Sequence, residues 1–363
     1  MSDFEQAGRR SAYAGAVADA IDDDPRIPLL QQLIFGFFPS AVLSVAARLR
    51  IPDLVAAGPK TSDALAEESD THPPSLYRLL RALAYLGILE ETEPGRFGLT
   101  DLGALLRSDV PHSMWATTQL FCGEHVWRAW GDLTAGVQTG RPSHERGIVA
   151  EPFVEFGEDP ERSKNFNQAM SEGTRREAPG IIGSYDFTQF GALVDVGGGD
   201  GTLLAAILAA TPGLQGVVFD TGPGLAEAPG RLAVEGVDDR CRVVEGDFFE
   251  SVPEGADAYI MKSVIHDWDD ERCVSILEHC RRAMKADGKV LIVEPVVPAQ
   301  VKPSFALLGV VMSDLNMLMN TGGKERTEDE FASLLRSAGL EPTGVSRVPK
   351  PSTLSVIEAT TAS

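Results

Sequence analysis

Cysteine is scarce in this chain of 363 residues: Cys122, Cys241, Cys273 and Cys280 are scattered and form no CxxC pair. Four such thiols are too thin a set for a disulfide framework, so a reducing, cytoplasmic setting is expected. Basic residues are also in deficit, 32 Lys and Arg against 53 Asp and Glu for a net charge of −21. Phosphate-backbone binding draws on clustered Lys and Arg, so nucleic acid is a poor partner. No long uninterrupted apolar run occurs. The most apolar stretch, Leu29 to Leu49, is broken by Gln31, Gln32, Pro39 and Arg48, which reads as a buried or interface helix pair, with no membrane span expected. The opening "MSDFEQAGRR" lacks the basic start and apolar core of a leader peptide. Internal repeats and low-complexity tracts are missing too.

What is present has a clear order. The length exceeds what one core usually serves, which predicts two domains or one with an appendage. Up to about Ser108 the pattern is helical. "TSDALAEES" opens with capping residues, and "PPSLYRLLRALAYLGIL" puts Leu76, Leu79, Leu80, Leu83 and Leu86 on one face. "EETEPGRFGLTDLG" then reads as two strands around a Pro-Gly turn, giving a winged-helix arrangement. With only Arg78 and Arg81 on its would-be reading helix, the arrangement suits packing, and its leucines with the Phe-rich segment before it suit a homodimer interface. The expected divisions are a helical winged-helix-like dimerisation domain over 1–110, a helical connector over 111–185 and a catalytic domain over 186–363. In the connector, Phe166 and Met170 share a helical face at i, i+4. Such a pair is core more often than a binding wall.

Beyond Phe190 apolar strands alternate with helices: "ALVDVG", "GVVFD", "CRVVEG", "AYIMKSV", "KVLIVEP" and "STLSVIEAT". Alternation of this kind predicts an α/β fold with a doubly wound, mostly parallel Rossmann-like sheet, whose ligands bind beyond the carboxyl ends of the strands. The first strand ends in "DVGGGDGT". Its glycines Gly197, Gly199 and Gly201 follow a GxGxG spacing, and Thr202 stands where a dinucleotide fingerprint wants a small residue. Asp220 closes the second strand, where a carboxylate suits ribose hydroxyls; Asp247 and Phe248 follow the third, where they suit an adenine. Singly each acid is a solvated loop residue; together they outline an adenosine site.

"LVDVGGGDGT", "VVEGDFFE", "MKSVIHDWDD" and "GGKERTEDEF" together resemble the S-adenosylmethionine-dependent small-molecule O-methyltransferases of the plant caffeate and bacterial polyketide-tailoring type, over nearly the whole chain. The resemblance implies S-adenosylmethionine as cofactor, a hydroxylated aromatic acceptor and a homodimer. It implies His266 as the general base, aided by Glu294 and Glu325, although Glu325 could instead cap the helix after it. Gly197, Asp220, Asp247, Phe248 and Lys262 fall at cofactor-contacting positions, and Phe166, Met170, Met312, Asn316 and Asn320 at acceptor positions. Ser263 departs from the plant pattern, which has tryptophan there, so the plant substrates do not transfer.

The cluster "HDWDD" also raises a metal site. Its consecutive residues point in different directions and no second histidine has ligand spacing, so no metal is expected. Asp269 and Asp270 read more simply as the start of a helix. Asp267 and Trp268 remain unassigned. Four readings compete: the methyl transfer to oxygen, a relative with diverged chemistry such as hydroxylation, decarboxylation or N-methylation, a winged-helix regulator, and a nicotinamide dehydrogenase that Thr202 disfavours.

Overall fold

A computed structural model describes residue 24 and residues 26–361; the segment read above for a leader lies outside the described residues. The chain divides into two compact units between Arg107 and Ser108.

The described residues of the first unit open with helices α1 (Arg26–Ile34) and α2 (Phe37–Arg48), separated at Phe35 and Gly36. Of the two expectations for this stretch, burial within the chain holds only near the end of α2, at Ala46 and Ala47. Leu29, Leu30, Leu33, Ile34, Phe37 and Phe38 are all exposed, Leu33 at 79%. By length and composition alone Arg26–Arg48 is apolar enough to cross a membrane. Strand β1 (Lys60–Thr61) leads into α3 (Ser62–Glu68), where the Thr61 side chain caps by accepting from the Ala64 N–H at 3.3 Å. Helix α4 (Pro73–Tyr85) buries Leu76, Leu80 and Leu83 of its apolar stripe. The hairpin β2 (Leu89–Glu93) and β3 (Arg96–Leu99) completes a three-stranded sheet in the order β1-β3-β2. The two residues of β1 are too few to show an alternation, which hides that strand from a pattern reading.

In the second unit the long helix α5 (Pro160–Ser184) precedes strands β4 (Ala192–Val196), β5 (Gln215–Asp220), β6 (Cys241–Glu245), β7 (Ala258–Lys262) and β8 (Lys289–Val297). Strands β9 (Arg326–Thr327), β10 (Leu340–Arg347) and β11 (Leu354–Thr361) follow. The sheet order is β10-β11-β8-β7-β4-β5-β6, with β9 paired to β8 off that path. Pairings from β6 to β8 are parallel, and β11 pairs antiparallel with both β8 and β10.

The strands are continuous apolar runs because both faces are covered. Within β7, Ile260 joins the cluster built on Leu203, Leu204, Ile207 and Leu208 of α6 (Thr202–Ala210), while Tyr259 and Met261 join the opposite one. That second cluster holds Cys273, Ile276 and Leu277 of α7 (Asp270–Ala283) and, after α8 (Phe305–Asn320), Phe331 and Leu335 of α9 (Glu328–Ser337).

Two details differ from the sequence reading. Strand β10 has no counterpart there, since it lies at the sheet edge, half exposed, and carries Pro342 and a register shift before Gly344, features that edge strands tolerate. Strand β8 runs on to Val297, so Glu294 sits inside it rather than at its end. Strand order reverses between β4 and β7, the switch point at which open α/β sheets take ligands.

Candidate active site

Strand β7 ends at Lys262, and a short 3-10 turn, Ile265–Asp267, carries His266 just past the switch point. Two glutamates, Glu294 within β8 and Glu325 just before β9, fix it. The Glu294 Oε1 accepts from the Val264 and His266 backbone N–H groups, both at 3.1 Å. The Glu325 Oε1 accepts from the imidazole Nδ1 at 2.9 Å and from the Ser313 hydroxyl at 2.7 Å. In the neutral imidazole a carboxylate there selects the tautomer with hydrogen on Nδ1, so that Nε2 is the proton-accepting atom. The capping alternative for Glu325 fails, because Thr327 and Glu330 form a capping box at the start of α9 and Glu325 is buried.

The charge balance is acidic. Burial alone would push the imidazole down, but Asp267, the Glu325 hydrogen bond and Glu294 outweigh it and raise its pKa to about 10. Burial lifts Asp267 to about 7 against the pull of His266. Glu294 is likewise raised by burial. Burial opposes ionisation of Glu325 as well, yet the imidazole and Ser313 hold it below the usual range. The Oε2 atoms of both glutamates are buried without a hydrogen-bond partner among the described residues.

His266, Glu294 and Glu325 offer ligand-type atoms that all lie within 4.8 Å of one another, with the imidazole Nδ1 engaged by Glu325 at 2.9 Å. The other acids of "HDWDD" belong to the helix start, as the capping pattern predicts. Asp269 caps α7 by accepting from the Arg272 N–H at 2.9 Å, and Asp270 pairs with Lys324 and Arg326 at 2.9 and 2.8 Å. Asp267 Oδ1 lies 3.9 Å from His266 Nε2. Trp268 packs against Phe153 at 5.1 Å and Phe249 at 4.8 Å between ring centres.

The predicted cofactor residues line up along successive strand ends. Gly197 has φ 69°, and a side chain there would meet Val264 Cγ2 at 2.8 Å, so the glycine loop lies directly against the turn bearing His266. Asp220 Oδ2 accepts from the Gly199 N–H at 2.8 Å, tying the loop to β5. Around Gly199 an added Cβ would meet nothing within 4 Å, which leaves the backbone open to a ligand. Asp247 Oδ1 accepts from the Phe249 N–H at 2.7 Å and braces the turn that carries Phe248. Lys262 is half-buried beside Ser263 Oγ at 3.4 Å, and burial lowers its pKa. Backbone approach, ribose-type carboxylate and aromatic contact together fit an adenosine ligand.

For the acceptor residues, Met312, Asn316 and Asn320 recur every four positions on one face of α8, next to Ser313, which holds Glu325. Asn316 Oδ1 accepts from the Trp130 indole N–H and from Asn320 Nδ2, both at 2.9 Å. Phe166 of α5 stands 6.4 Å edge-on from Phe153, and so joins the Trp268 aromatic group; Met170 is half-buried one turn further on. Met312 is 42% exposed. Sequence reasoning missed Ser313, Phe153 and Trp130 as parts of the site. Trp130 stood in an aromatic-rich run, but its bond to Asn316 spans 186 residues and leaves no local signal.

Residues 31–109 match the O-methyltransferase dimerisation domain, and residues 130–341 match the O-methyltransferase domain. The chain belongs to the O-methyltransferase family. It is 43% identical over 336 residues to the phenazine O-methyltransferase PhzM of Lysobacter antibioticus, covering 92% of this chain and 96% of that one. The crystal structure of LaPhzM superposes with a TM-score of 0.88 at 42% identity, over 93% of this chain and all of the other. An O-methyltransferase of neocarzinostatin biosynthesis, NcsB1, solved with S-adenosylmethionine and 2-hydroxy-5-methyl naphthoic acid, gives a TM-score of 0.77 at 34% identity, over 89% and 96% of the two chains.

Glu325 favours the protonated imidazole, so its removal lowers the proton affinity of His266. NMR titration of histidine ring carbons in the cofactor-free protein should show His266 protonated at pH 7, and its midpoint should fall in Glu325→Gln. An unchanged midpoint would mean that Glu325 does not hold the proton.

Proposed function

We propose that this enzyme transfers a methyl group from S-adenosylmethionine to a hydroxyl of a small aromatic or polyketide-like metabolite, with His266 as general base and without a metal. The observation that carries the base assignment is the Glu325–His266 hydrogen bond at the switch point of the sheet. Gly197, Asp220, Asp247, Phe248 and Lys262 would hold the cofactor. When bound, S-adenosylmethionine supplies an electrophilic methyl on a positively charged sulfur, whose charge opposes a proton on the imidazole.

A phenol with pKa of about 10 is mostly protonated at neutral pH. The imidazolium of the cofactor-free site first loses its Nε2 proton, which the cofactor's charge favours; His266 Nε2 then takes the phenol's proton, and Glu325 on Nδ1 with Glu294 on the backbone stabilises the imidazolium that results. Base help of this kind contributes about 10² to 10⁴ in rate. Phe166, Met170, Met312, Asn316 and Asn320 form the acceptor wall, the apolar members lying along a flat ring while the two amides fix its orientation. The presence of His266, bonded to Glu325, favours methyl transfer over the diverged tailoring reactions. The exposed Leu33, Ile34, Phe37 and Phe38, within the segment matching the dimerisation domain, support a homodimer. Cys241, Cys273 and Cys280 are buried thiols outside any disulfide, in keeping with a cytoplasmic enzyme.

Mass spectrometry of a hydroxyaromatic panel incubated with S-adenosylmethionine should show the gain of one methyl on oxygen, undiminished by EDTA. In His266→Ala that rate should fall about 10²-fold or more, with cofactor affinity by calorimetry within a few-fold of wild type; parallel loss of both would make His266 structural. Leu33→Asp should convert a two-chain species into a single chain in sedimentation velocity. Retention of the wild-type mass would place the subunit contact elsewhere.

A further inference from the structure

Directly after Glu325 comes Arg326, whose side chain is completely removed from solvent. A buried guanidinium is tolerated only when its donors are paired. Here all five are. Nη1 donates to the Ile265 and Lys324 carbonyls at 2.9 and 3.3 Å, Nη2 to the Trp268 carbonyl at 3.0 Å and Asp270 Oδ1 at 2.8 Å, and Nε to Asp270 Oδ1 at 3.2 Å. Nη2 also lies 3.4 Å from Cys273 Sγ.

The two carbonyls from Ile265 and Trp268 bracket His266 and Asp267 on either side. Consecutive side chains of an extended segment leave in opposite directions, so Glu325 reaches the imidazole ring while Arg326 reaches the backbone that carries it. Gly323 brings the same segment flat against the turn: a Cβ there would stand 2.0 Å from the His266 carbonyl oxygen and 2.5 Å from the Asp267 carbonyl carbon. The ion pair with Asp270 does not account for the arrangement. The Asp270 side chain is 59% exposed and already bonds Lys324, whereas the two carbonyls are reached only by placing the fork beneath the turn.

We propose that Arg326 is a positioning residue for proton transfer: its bidentate hold on the Ile265 and Trp268 carbonyls keeps the imidazole on Glu325 and its Nε2 turned to the acceptor. This inference rests on the reading of His266 as the base. Lysine keeps the charge but lacks the planar fork that reaches both carbonyls. Misplacement of a reacting group by about 1 Å costs about 10² in rate.

The test compares Arg326→Lys, Asp270→Asn and His266→Ala with wild type, reading kcat, KM for both substrates, cofactor affinity by calorimetry, and the His266 ring titration by NMR. Arg326→Lys should lose about 10² in kcat and shift the His266 titration, with cofactor affinity within about threefold. Asp270→Asn should keep kcat within the same threefold. Wild-type kcat and titration in Arg326→Lys would overturn the inference. So would a loss of kcat that only tracks cofactor affinity or the folded fraction. Should Arg326→Lys fail to fold, Gly323→Ala displaces the same turn; wild-type kcat and titration there would overturn the inference equally. Wild-type turnover in His266→Ala would instead reject the base reading itself.

Discussion

One imidazole, held by a buried carboxylate at a strand-order reversal, is the constraint on which the rest of the site depends. The Glu325–His266 bond joins residues 59 positions apart. It exists because β7 delivers the turn, β8 delivers Glu294 beneath it, and the segment entering β9 delivers Glu325 beside it. Parallel strands place their carboxyl ends at one edge of the sheet, so the cofactor loop after β4 arrives at the same place. Gly197 against Val264 is the point where loop and turn meet.

The electrostatics of the cluster follow from the same packing. Three acidic groups, Asp267, Glu294 and Glu325, face one imidazole in a poorly solvated crevice, and each carboxylate raises its affinity for a proton. Such a site favours imidazolium, which is the state a general base reaches after proton abstraction, and it suits a cationic methyl donor better than a neutral one. Asp269 and Asp270 contribute differently, since their carboxylates serve the first turn of α7. Adjacent acids in one short stretch thus have separate physical tasks, set by which way each points.

Much of this was legible in the sequence. The doubly wound sheet followed from apolar runs alternating with helices, and the glycine loop, Asp220, Asp247 and His266 all sit at strand ends where the alternation put them. Glu294 was recognised by resemblance, but the strand continues past it. Strand β10 was hidden by Pro342 and by its exposed edge. The supporting residues were not legible for a common reason. Ser313, Phe153, Trp130 and Arg326 act through contacts that close long loops, and a serine or arginine bears no local mark of the partner it meets across the fold.

The central claim is that the enzyme removes the acceptor proton through His266, and a series of phenolic acceptors spanning hydroxyl pKa values tests it most directly. Methyl-transfer rates of wild type and His266→Ala would be compared for acceptors that are protonated and acceptors that are already ionised at the assay pH. The account predicts a large deficit of the variant on protonated phenols that largely disappears on ionised ones. An equal deficit on both would contradict it.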